Sequence, residues 1–128
     1  DQDAPALSAL HASVGWPRRS EAGWRWLLNH PARIEAEAPA GWLLIDSEGQ
    51  PRGYTGNFVQ RFWRGDDVLF GTSGYSIVVQ PPARGHSRML LRAFAEQPGM
   101  FARYTFNANT RSSPLFPRYG LTPWPTRT

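Results

Sequence analysis

A long extended run stops at two prolines and gives way, a few residues later, to a helix, and this junction limits what the chain can fold into. Residues 68–79 are dense in Val, Leu, Phe, Thr, Tyr and Ile, the composition of a strand. Pro81 and Pro82 lack an N–H and have a fixed φ, so the strand cannot continue through them. Residues 87–97 then set Met89, Leu90, Ala93, Phe94 and Gln97 along one helical stripe, closed by Pro98-Gly99. Residues 100–106 alternate as a strand again. Strand, helix, strand in that order implies a parallel pair, and with it an α/β class with a mixed sheet.

Upstream, residues 41–46, 53–63 and 68–79 read as three strands joined by turn signals at 47–51 and 64–67, which favours an antiparallel meander. Before them, Ser20 with Glu21 resembles a helix start, and Trp24, Leu27 and Leu28 share one apolar face up to Asn29-His30-Pro31. Residues 32–40 read as a linker into the sheet, 112–119 as a short helix, and Gly120-Leu121 as a new extended segment. Residues 1–17, rich in Ala, Ser and Pro, are expected to be a flexible N-terminal segment, with 18–128 one domain. A chain of 128 residues is the size of one core.

There is no cysteine, which excludes a disulfide framework, a zinc–thiolate site and a cysteine nucleophile. There is no lysine and no Gly-x-Ser-x-Gly, which removes Walker-type ATPases and elbow hydrolases. Fourteen arginines against ten acids give a net charge of +4, but they are scattered from Arg18 to Arg127, the pattern of a solvated face and not of a nucleic-acid-binding arm. No apolar stretch approaches membrane-spanning length, and the first residues carry no basic-then-apolar export signal, so the expected location is cytoplasmic. His11 and His30 sit in loop-like polar contexts and no metal site is expected. Trp24, Trp26, Trp42 and Trp63 are expected as core or core-edge aromatics, and mid-strand Asn57 as an acceptor contact, a bulge or an exposed edge position.

The junction is also an anion site in waiting. The first N–H groups of a helix have no partner within it and lie at the positive end of its dipole, so a pyrophosphate there accepts several hydrogen bonds while Arg84 or Arg88 adds charge. Gly85 permits close backbone approach.

At these residues the chain resembles the GNAT superfamily of acyl-coenzyme A-dependent N-acetyltransferases. The pattern Val-x-Pro-x-x-Arg-Gly-x-Gly-x-Gly/Ala-x-x-Leu is met by Val79, Pro81, Arg84, Gly85 and Leu91 or its neighbour, with Ser87 and Met89 at the two small positions. A second block, Asn then Tyr then Gly-Phe, is met in spacing by Asn109, Phe116 and Gly120-Leu121. The resemblance implies a GNAT-like sheet with helices on both faces and acetyl-CoA as cosubstrate, held by Val78, Val79, Arg84, Gly85, His86, Ser87, Arg88, Met89 and Asn109. It implies that the Val79 backbone N–H serves the oxyanion, and that Phe116 occupies the position of the usual tyrosine acid, leaving Tyr119 or Tyr104 to substitute. The partners implied are a CoA thioester and a small-molecule or peptide amine. The family's later strands are shortened or missing after 121, which leaves an edge open to a homodimer. Two functions follow: acetyl transfer to a primary amine by direct attack in a ternary complex, or a degenerate domain that binds CoA or a protein partner without turnover.

Overall fold

The computed structural model describes residues 4–106, 108 and 110–123. A four-stranded sheet runs in the order β1-β2-β3-β4, with β1 Gly41–Ile45, β2 Pro51–Arg64, β3 Asp67–Val79 and β4 Ala102–Tyr104. The first three form the antiparallel meander, and β4 lies parallel to β3 after a crossover through a helix. The turns are where glycine is needed: Gly49 and Gly65 have φ of 80° and 60°.

Helices cover both faces. Tyr54 and Val59 are five apart on β2, so their side chains leave opposite sides of the sheet. Tyr54 packs with α1 (Ala4–Ser13) and α2 (Glu21–Leu28) through Leu7, Leu10, Trp24 and Val78. Val59 packs with Ala32 and Ala38 around α3 (Pro31–Glu35), and α4 (Ser87–Glu96) lies on that same side, its Phe94 edge-on to Trp42. Helix α2 begins as its sequence directs, the Ser20 hydroxyl accepting the Gly23 N–H at 3.0 Å.

Several expectations change. The lead-in expected to be flexible contains α1, because Leu7, Leu10 and Val14 fall at the spacing of one face and reach the core over Tyr54 and Trp24. The linker after His30 contains α3, started by Pro31 at its first position. Trp26 and Trp63 are exposed, Trp26 stacked on Phe58. Residues 121–123 form no strand.

His11 is buried against Trp16, Trp24 and Tyr54, not in a polar loop. Its Nδ1 lies 2.7 Å from the Leu7 carbonyl, which can only accept, so Nδ1 carries the proton. Burial lowers its pKa from the ordinary 6.5, reinforced by the Arg19 charge and opposed by the Leu7 bond. Below about pH 6.5 the unfolded chain takes up this proton before the folded one does, so stability is full above that pH and declines on acidification. Thermal melts at pH 7.5 and 5 should therefore differ more in the wild type than in His11→Phe, and equal differences would remove His11 as a source of acid sensitivity.

Candidate functional site: a slot where two parallel strands part

Strands β3 and β4 pair only from Gly71↔Ala102 to Ser73↔Tyr104. Beyond that, Thr105 Oγ1 reaches the Gly74 carbonyl at 3.4 Å, while β3 runs on alone to Val79, with no further strand on that edge among the described residues. On its other edge β3 carries a bulge: between the pairs Gly56↔Tyr75 and Tyr54↔Val78, the single residue Thr55 opposes Ser76 and Ile77. Ser76 has φ 54°, a left-handed conformation that costs a non-glycine residue about 1–2 kcal/mol. The bulge bends β3 away from β4 and re-aims its backbone.

The parting leaves a slot of about 180 Å³ through the sheet. Leu91 and Phe94 of α4 wall one side, Trp16, Arg19 and Tyr75 the other, and Phe116 and Ser112 close the gap. Phe116 and Ser112 come from the 3-10 helix Ser113–Tyr119 and its N-cap, ended by Gly120 at φ 85°. Tyr75 lies flat on Gly56, where a Cβ would come 2.1 Å from its ring, and its hydroxyl meets that of Tyr54 at 2.9 Å. Burial raises both phenols, Tyr54 more, so both stay protonated at neutral pH.

Along the free edge of β3 the slot continues into a hollow of about 320 Å³ lined by Val78, Val79, Arg84, Ser87 and Arg111. The Gln80 N–H donates to the Arg52 carbonyl across the sheet at 2.8 Å. Backbone groups alternate sides along a strand, so the Val79 N–H faces this hollow. The residues between strand and helix are wound into a 3-10 helix, Pro81–His86, in which Ala83 N–H bonds Gln80 O and Ser87 N–H bonds Arg84 O. The polar side chains that line this hollow are those of Arg84, Ser87, Arg111 and Ser112. A Cβ on Gly85 would meet nothing within 4 Å.

The structure brings together Val78, Val79, Arg84, Ser87 and Phe116, although the Val78 side chain is itself core. It sets His86 and Met89 elsewhere, in a hollow with Leu43 and Ile45. At 100° per residue, Ser87, Leu91 and Phe94 share one face of α4 and Met89 points about 200° from Ser87, so its bulk does not narrow the groove. Arg88 is exposed and lines neither the slot nor the groove. Tyr104 donates to Gln60, and Tyr119 is not among the slot's lining residues. Asn109 lies outside the described residues. Asn57 is neither acceptor contact nor bulge but a buried amide bonded to Gln97, Thr72 and Pro39. Reading from sequence missed Trp16, Arg19, Arg111 and the Tyr54–Tyr75 pair. A glycine in mid-strand, Gly56, was the available sign that a ring lies across it. Among the described residues no three His, Asp or Glu side chains gather as a metal site, and no helix is long and apolar enough to cross a membrane.

No family model and no curated protein matches the sequence. Solved structures do match. An acetyltransferase of Trypanosoma brucei is similar over 99% of this chain and 91% of its own, at a TM-score of 0.65 and 16% identity. A GNAT family acetyltransferase of Staphylococcus aureus is similar over 100% and 90%, at 0.63 and 16%. Glucosamine-6-phosphate N-acetyltransferase of Arabidopsis thaliana is similar over 67% and 61%, at 0.54 and 8%. The fold is thus the GNAT fold anticipated from the junction motif.

Proposed function

We propose that this chain is an acyltransferase that moves acetyl from acetyl-CoA to a primary amine by direct attack within a ternary complex. The observation that carries this reading is the through-sheet slot at the β3–β4 parting, continuous through Trp16, Ile77 and Ser112 with a groove bearing two arginines. An extended pantetheine arm fits the free edge of β3 as a strand would, its pyrophosphate reaching Arg84, Ser87 and Arg111. The thioester then lies in the slot. With its carbonyl at the end of the slot that opens into the groove, the thioester meets the Val79 N–H, which is aimed at the groove and stabilises the oxyanion formed when the amine nitrogen attacks. The C–S bond breaks as the tetrahedral intermediate collapses and the attacking nitrogen gives its extra proton to solvent, leaving the amide and the CoA thiolate. Fold similarity to acetyltransferases supports the reading as analogy.

Thiol release from acetyl-CoA against a panel of amines tests it. Replacing Arg84 with alanine removes one charge-assisted contact, worth about 1.5–3 kcal/mol, and should weaken acetyl-CoA binding at least about tenfold. Unchanged affinity would displace the pyrophosphate from this groove. At the other end, Phe116 has no proton to give the departing thiolate. Phe116→Tyr is expected to raise turnover by about tenfold or more if protonation limits the rate. A domain that binds CoA without turnover, the second reading rooted in Phe116, would show affinity but no thiol release with any amine in either form.

A further inference from the structure

The mouth of the slot holds a cation with no ionic partner among the described residues. Arg19, in the loop between α1 and α2, lines both the slot and an adjoining hollow of about 270 Å³ bounded by His11, Arg18 and Ser76. Its guanidinium carbon lies 4.7 Å from the centroid of the Trp24 ring and 5.9 Å from that of Tyr75. Its stem crosses Gly23 so closely that a Cβ there would come 2.8 Å from Arg19 Cγ. The group is thus placed by packing, with its planar fork of donors left for a partner.

Among the described residues that partner is absent. The ion pairs of the structure are Arg25–Glu21, Arg52–Asp46, Arg61–Glu35 and Arg92–Glu96, and among the described residues no carboxylate pairs with Arg19. Among the described residues no Asp or Glu lines the slot or the hollow. Among the described residues the charges there are Arg18 and Arg19, since burial favours the neutral form of the adjacent His11. A polycation entering this mouth meets repulsion without compensation, whereas an anion gains bidentate hydrogen bonds in a half-apolar setting.

Resting on the acetyl-transfer reading above, we infer that the acceptor is a small primary amine that also carries an anionic group, carboxylate or phosphate, which Arg19 grips while the amine reaches the thioester in the slot.

The test titrates the full chain, saturated with desulfo-CoA, with propylamine, β-alanine and 2-aminoethyl phosphate, following tryptophan fluorescence. At least one anionic amine should bind about tenfold or more tighter than propylamine, as one charge-assisted contact provides, and the tighter of the two identifies the anion. Arg19→Gln, which keeps the stem, and Arg19→Ala should both collapse that preference, while the remote Arg92→Ala retains it. Equal affinities for the three amines, no saturable response to either anionic amine, or a preference that survives in both Arg19 variants would overturn the inference. Failure of desulfo-CoA itself to bind is a separate result, and it removes the underlying transferase reading instead.

Discussion

Trp24→Ala should destabilise the domain by about 3–5 kcal/mol, the cost of emptying a large aromatic site in a packed core. Trp24 is 1% exposed, edge-on to His11 at 5.1 Å and to Tyr54 at 5.9 Å, and its indole N–H donates to Ser8 Oγ at 2.9 Å. It is the residue through which α1, α2 and β2 meet, so its loss opens a cavity that three elements cannot all close. For a domain of this size the melting temperature should fall by about 10–20 °C. Trp26→Ala is the control: two residues along the same helix but 61% exposed, it should cost about 1 kcal/mol or less. Comparable losses in the two variants would contradict this account of the core. Because Arg19 rests on the same ring, Trp24→Ala should also loosen the acceptor mouth.

Asn57→Ala is expected to cost about 3–5 kcal/mol for a different reason: what it leaves behind. The Asn57 amide donates to the Pro39 carbonyl and Gln97 Oε1, each at 2.8 Å, and accepts from Gln97 Nε2 at 2.9 Å and from the Thr72 hydroxyl. Asn57, Gln97 and Thr72 are all buried, so truncation strands Gln97 Oε1 away from water and leaves Gln97 Nε2 only its bond to the Phe94 carbonyl. Removing the partner as well should recover part of the loss. The double variant Asn57→Ala/Gln97→Leu should be less destabilised than the sum of the singles by about 1–2 kcal/mol, measured by denaturant unfolding. Strict additivity would mean that the network does not act as a unit. The network ties β2 and β3 to the C-terminal end of α4, so the same variant should also slacken the wall of the slot formed by Leu91 and Phe94.

Much of this architecture was legible in the residues. The β-branched runs, the turn pairs around Gly49 and Gly65, and the prolines after Val79 are local signals, and they specify the meander, the crossover helix and the parallel pair. The resemblance to the family's second block set Phe116 apart, and it lines the slot. The features that escaped are those made by distant partners. Helix α1 has the composition of a mobile lead-in, and only the shelf of Tyr54 and Trp24 beneath Leu7 and Leu10 tells the two apart. Trp16 and Arg19 belong to the site because that helix is packed, which no local pattern announces. The bulge at Ser76 depends on register between two strands, and the burial of Asn57 depends on Gln97, forty positions away. Met89, at one of the motif's small positions, is turned away from the groove by helical geometry, which the one-dimensional motif does not show.

The claim on which the rest depends is that the parted strands and the arginine-bearing groove beside them form one coenzyme A site. Calorimetric titration of the chain with desulfo-CoA, which cannot react, tests it most directly. The structure predicts saturable binding of one ligand per chain, weakened at least about tenfold in Arg84→Ala and accompanied by a rise in melting temperature that grows with ligand concentration. Absence of both heat and stabilisation at millimolar ligand would contradict it.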